Sequence, residues 1–146
     1  MPYPICRLDK LHLKEVKLAD QHARRLRDTP NADPSKPHLT ILGDPDTDLE
    51  VLVRERVFKE ADRQQKPKKT LIRKNAVMAV EFVLSASPEY FRPLDPSEWG
   101  YWEEERLEAF QAKVLEWLQK SYGENIVRAQ LHLDEGTPHV HAFLYL

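Results

Sequence analysis

Two stretches near the C-terminal end alternate apolar and polar residues one for one. Val127, Ala129, Leu131 and Leu133 interleave with Arg128, Gln130, His132 and Asp134. Val140, Ala142, Leu144 and Leu146 interleave with His139, His141, Phe143 and Tyr145. A period of two marks a strand with one face toward a core. The spacing therefore predicts two strands, and the short 135–138 link predicts that they form an antiparallel hairpin. Upstream, the β-branched run "AVMAVEFVLSAS" predicts an inner strand over 76–85, and "HLTIL" a strand over 38–42. Residues 3–8 suit a short strand that Pro2 and Pro4 confine to an edge or a strand start.

Three other stretches repeat at helical spacing. Leu49, Leu52, Val53, Val57 and Ala61 form one stripe behind the helix-start punctuation of 44–48. Leu107, Phe110, Val114, Leu115, Trp117, Leu118 and Tyr122 form another, predicting a helix over 101–122 that Gly123 stops. Val16, Leu18, Ala19, Ala23 and Leu26 give 13–28 an imperfect helical period, while "TPNADPSKPH" and "SPEYFRPLDPSEWG" read as ordered loops. The order β, α, β, α, β, α, β, β predicts an α+β fold: a central antiparallel sheet with helices packed on one face and the histidines on the other.

Composition narrows this further. A chain of 146 residues with 41% apolar content suits one core, so residues 1–146 are expected to form a single domain. One cysteine, Cys6, rules out an intrachain disulfide, and no stretch approaches the roughly 20 apolar residues of a membrane span. The expected compartment is the cytoplasm, with no membrane contact. Net charge is -2, but residues 59–74 hold seven Lys/Arg against two acidic residues, and residues 95–108 hold six Asp/Glu against one Arg. Either run reads as ordinary solvated surface; the first also suits a phosphate backbone.

The chemistry concentrates in "HLDEGTPHVH", which runs from His132 to His141. Alternation places His139 and His141 on one strand face. If 135–138 turns the chain back, His132 joins them across strands about 4.8 Å apart. Three converging imidazoles beside Glu135 suit Zn²⁺, Mn²⁺ or another first-row ion, and the residues alone do not rank these. Such a centre leaves coordination positions open, either to orient phosphate oxygens or to activate water.

At these residues the sequence resembles the catalytic domain of the plasmid mobilisation and recombination (Mob/Pre, MobV-type) relaxases. "HLDEGTPHVH" matches that family's metal motif at its histidines, its acidic pair and its "TPH". "HARRLRDTPNADPSKPHL" (22–39) resembles the nucleophile segment, and "IRKNAVMAVEFVLSASPEYF" (72–91) resembles a strand entered by an arginine and a lysine. The resemblance implies a divalent metal, with Mn²⁺ favoured over Mg²⁺ or another first-row ion. His132, His139 and His141 would hold it, with Glu135 as a ligand or a base. It also implies His22 as the nucleophile, Arg25 as its phosphate-holding neighbour, and Arg73 and Lys74 as DNA contacts. On spacing alone, His22 is a histidine on a helix surface.

The implied activity is nicking and strand transfer on single-stranded or extruded origin-of-transfer DNA, through a 5′-phosphate joined to histidine. Tyr3, Phe91, Trp99 and Tyr101 are all candidates for stacking on bases. The family's domain continues past such a hairpin whereas this sequence stops at Leu146, so the expectation is either a relaxase domain trimmed at its C-terminal end or an unusually short member of the family. Three alternatives remain open at this point: a hydrolase that uses water, a non-catalytic origin-binding module, and a variant with Tyr3 as nucleophile. Oligomeric state and target sequence are not legible.

Overall fold

The structure is a computed structural model that describes residues 2–26, 32–33, 35–36, 38–65 and 76–145. Five strands, β1 (Pro4–His12), β2 (His38–Gly43), β3 (Val77–Ala86), β4 (Ile126–His132) and β5 (His139–Leu144), form one sheet in the order β1-β3-β5-β4-β2. Every neighbouring pair is antiparallel. The helices are α1 (Leu13–Ala23), α2 (Leu49–Gln64), the single turn α3 (Pro88–Phe91) and α4 (Glu104–Tyr122).

The α+β class and the antiparallel sheet agree with the pattern, but the helices divide between both faces. α4 and α3 cover the first face, where Leu107, Phe110, Leu118 and Phe91 pack on Phe82, Leu84, Val140 and Ala142. α1 and α2 lie over part of the second, where Val16, Ala23, Leu49, Val53 and Val57 pack with Val127 and Phe143. This second face also carries the histidines. The reason is the apolar stripe of α2: a helix with Leu49, Val53, Val57 and Ala61 all buried needs a sheet face to cover, and α4 already occupies the other. Trp117, read as part of the buried stripe of α4, stays 41% exposed at that helix's edge.

α1 ends at Ala23 rather than running to 28. Arg25 takes a left-handed backbone with φ of 58°, which breaks the helical hydrogen-bond run. α2 is capped from a distance: the Leu49 amide donates to the buried Asp20 carboxylate on α1 at 2.9 Å. Asp20 also accepts from Arg128 of β4 at 2.6 Å and from Nε and Nη2 of Arg24, both at 2.8 Å. This ion network pins the two helices to the sheet beside the histidines.

Candidate metal centre

Register places the histidines. His132 of β4 pairs with His139 of β5 and with His38 of β2, and His141 pairs with Gln130 one step along. The chain turns back as predicted, though over 133–138 rather than 135–138, so His132, His139 and His141 project from the same face. Their ring centroids stand 4.5, 5.0 and 5.2 Å apart. One ligating nitrogen from each lies within 4.8 Å of the other two.

The hydrogen bonds leave one nitrogen of two of these rings to a cation. His139 Nδ1 donates to the Thr137 carbonyl at 3.0 Å, and His141 Nδ1 donates to the Glu81 carboxylate at 3.3 Å. Each bond puts the ring's proton on Nδ1 and leaves Nε2 with a lone pair. The Nε2 atoms of His132 and His141 are buried without a partner among the described residues, and so is Gln130 Oε1. An unpaired polar atom in a protein interior is costly, so three in one place indicate a group that belongs there. Burial lowers the pKa of His132, and the crowding of a second cationic group against His141 and Arg25 adds to the effect. Burial lowers His139 as well. Both are neutral at physiological pH, as a metal ligand must be.

His22 stands at the rim of this cluster. It projects from the last turn of α1, with its ring centroid 6.2 Å from that of His141, and lines the same cleft of about 620 Å³ as His139, His141 and Glu135. Burial, then the charges of Arg25 and His141, lower its pKa below the ordinary 6.5. Its neutral form, the nucleophilic one, therefore persists into mild acid.

Arg24 and Arg25 are consecutive yet serve different places. Arg24 belongs to the Asp20 network. The left-handed turn at Arg25 swings its guanidinium into the site, where Nε and Nη2 reach Asp134 at 2.7 and 2.9 Å. Nη2 also lies 2.6 Å from Glu135 Oε1 and 3.1 Å from His132 Nδ1, and Nη1 donates to the His22 carbonyl at 3.1 Å. Burial alone would raise the Asp134 carboxyl, but the Arg25 bonds and charge hold it below its usual value. Glu135 groups spatially with His132 and Asp134 rather than with all three histidines.

The sequence-predicted residues thus divide. His22, Arg25, His132, Glu135, His139 and His141 converge, whereas Arg73 and Lys74 lie outside the described residues, as does most of the basic connection. Tyr3 lines an apolar groove of about 420 Å³ with Trp117 and Phe110, on the α4 side, away from the imidazoles. Phe91 is fully buried. Sequence reasoning missed Glu81, Asp134 as the partner of Arg25, and Arg92. The Arg92 side chain, 2% exposed, ties the metal hairpin to the 96–101 loop through Gly136 O at 2.7 Å and Thr137 Oγ1 at 3.1 Å. The acidic pair of the motif was the only hint of these, for Asp134.

Comparison with known proteins agrees with this geometry. The family model for the plasmid recombination enzyme, Mob_Pre, matches residues 1–145. The chain belongs to the Mob_Pre family. Mob_Pre relatives include the "65 kDa protein" of Zymomonas mobilis subsp. mobilis, 33% identical over 97% of this chain and 23% of that one. Another is the plasmid recombination enzyme of Streptococcus agalactiae, 30% identical over 97% of this chain and 27% of the relative. The chain therefore spans about a quarter of the length of these two curated relatives. Among solved structures, the MobM relaxase domain (MOBV; Mob_Pre), Mn-bound and in complex with plasmid pMV158 oriT DNA, superposes with a TM-score of 0.77 at 25% identity. That match covers 97% of this chain and 69% of MobM's. A second such complex, with a 3′-thiophosphate on the DNA, gives 0.77 at 26%. The fold is that of the Mob_Pre relaxase domain. No helix among the described residues is long and apolar enough to cross a membrane.

Proposed function

We propose that this chain is the catalytic part of a cytoplasmic plasmid relaxase, which nicks one strand of single-stranded or extruded origin-of-transfer DNA and holds the 5′ end covalently on His22. The observation that carries the reading is His22 at the edge of the three-imidazole cluster, in one cleft, with its pKa lowered. A divalent cation held through Nε2 of His132, His139 and His141, Mn²⁺ by analogy with MobM, supplies positive charge to the phosphate oxygens.

The remaining roles fall to the chain itself. A lone pair of the neutral His22 ring attacks the scissile phosphorus, and the bond from phosphorus to the 3′ oxygen breaks. The proton lost from the other ring nitrogen balances the one gained by the departing 3′-oxygen, and Glu135, which lines the same cleft, is the candidate to carry it. A 3′-hydroxyl reverses the step and reseals the strand. Arg25 is read here as a positioning residue more than a phosphate clamp, because its guanidinium already holds Asp134, Glu135 and the His22 carbonyl. A cation on Nε2 of His132 would leave that ring's proton on Nδ1, and Arg25 would then keep Asp134, Glu135 and the His22 carbonyl as its partners.

The test is to incubate 5′- and 3′-labelled origin DNA with Mn²⁺ and the wild-type chain or His22→Ala. The reading expects a denaturation-resistant, acid-labile adduct with the wild type and none with the variant. Cleavage without an adduct would make water the nucleophile, and binding without cleavage would leave a binding module.

A further inference from the structure

Four aromatic residues are compatible with base stacking by sequence, and the fold separates them. Phe91 is core, Tyr3 faces the apolar groove on the α4 side, and Tyr101 does not line the histidine cleft. Trp99 does line it, together with His22, His139 and His141, while remaining 73% exposed. Isolated exposed apolar side chains are common and need no explanation. Trp99 differs because its surroundings fix it in place.

The indole lies against Gly136 of the metal hairpin so closely that a Cβ there would come within 2.7 Å of it. Only glycine permits this approach. The loop bearing Trp99 is anchored to the same hairpin residue twice, by the Gly100 amide and by Arg92, each donating to the Gly136 carbonyl, at 3.0 and 2.7 Å. Arg92 further donates to the Pro96 and Tyr101 carbonyls on either side of Trp99, at 2.8 and 3.3 Å. Lys36 donates to the Gly100 carbonyl and brings a cation to the same rim. Trp117, by contrast, is packed edge-on against Phe82 and Tyr122; among the described residues no ring packs on Trp99. A large π surface is thus held open beside the cluster by a buried arginine whose bonds run to the metal hairpin.

We infer that Trp99 is a stacking platform for an unpaired nucleobase next to the scissile phosphate, giving sequence-tolerant grip on the strand that His22 cuts. The inference rests on the relaxase reading above and adds the residue that holds the base. A stacked base neutralises no charge, so this grip is less salt-sensitive than a contact to phosphate.

The experiment uses short single-stranded oligo(dT), Mn²⁺ and the whole chain with Trp99→Ala, Trp99→Leu and Trp99→Phe. Expected are about 10-fold weaker binding for the alanine and leucine variants and near-wild-type binding for phenylalanine, since any aromatic face stacks. Oligo(dT) should quench wild-type tryptophan fluorescence, and Trp99→Phe should lose that quenching while Trp102 and Trp117 remain. Mn²⁺ affinity and thermal midpoint serve as the check on folding, and the leucine variant preserves apolar contact with Gly136 should alanine loosen the hairpin. If the wild type forms the adduct on origin DNA and Trp99→Leu binds oligo(dT) as tightly as it does, the inference is overturned while the relaxase reading stands. If the wild type neither binds single strands nor forms an adduct, the relaxase reading fails and takes the inference with it.

Discussion

The two faces of this sheet are built from the same strands and differ in kind. Beneath α4 the contact is dry: Phe82, Leu84, Val140, Ala142 and Leu144 meet Leu107, Phe110 and Leu118 in one apolar cluster. On the other face, buried polar groups accumulate, namely Arg128, Gln130, His132, Asp134 and His141 with Asp20 below them. The three orphaned side-chain atoms found among the described residues, Gln130 Oε1, His132 Nε2 and His141 Nε2, all lie there. A face that only needed to be stable would not leave them unpaired. The α4 face holds the strands in register, and register aims the imidazoles.

The sharpest way to break that contrast is to make the polar face apolar. His132→Leu should weaken Mn²⁺ binding by at least about 100-fold, as expected when one of three ligands is lost. It should leave the metal-free melting temperature equal or higher, because a buried unsatisfied group is removed. Titration calorimetry and a thermal melt read both effects. The reciprocal change on the dry face, Leu118→Ala, should cost about 2–5 kcal/mol of folding stability through the lost contacts and the cavity. Mn²⁺ affinity of the folded fraction should not move, and a denaturant titration with and without Mn²⁺ separates the two quantities.

A smaller effect is expected at Glu81, which reaches His141 from the neighbouring strand. Glu81→Ala should weaken Mn²⁺ binding by about 10-fold, because the His141 ring is then free to present the wrong tautomer; an electron paramagnetic resonance titration of free Mn²⁺ measures it directly. The last is a pH effect set by one imidazole. The lowered pKa of His132 means that the unfolded chain takes up a proton at its ordinary 6.5 while the folded one resists it. This imidazole's contribution to the stability of the metal-free protein is therefore fully present above pH 6.5. It falls below that value by about 1.4 kcal/mol per pH unit for this imidazole, and the slope should flatten in His132→Leu.

Much of this was legible in the chain. Period-two alternation sorted His132, His139 and His141 onto one face, and the stripes of α2 and α4 were visible as i, i+4 rows. What alternation cannot say is what covers the other side. The pattern marked only one face of β4 as core, yet Arg128, Gln130 and His132 on the other are buried too, since α1 and α2 come over it. The partners that complete the site were equally out of reach. Glu81 meets His141 across 60 positions, Arg92 meets Gly136 across 44, and Asp20 meets Arg128 across 108. Such pairs depend on sheet order, which no local period encodes. The early end of α1 at Arg25 was missed because an arginine, not a glycine, takes the left-handed turn.

The proposal that His22 is the nucleophile at phosphorus stands or falls on one covalent product. It is tested most directly by trapping the wild-type chain on labelled origin DNA with Mn²⁺, digesting the adduct under neutral conditions and mapping the modified peptide by tandem mass spectrometry. The expected product is a 5′-phosphate joined to His22 in the peptide from the last turn of α1. A phosphate on Tyr3 or any other tyrosine, or cleavage with a free 5′-phosphate and no modified peptide, would contradict it.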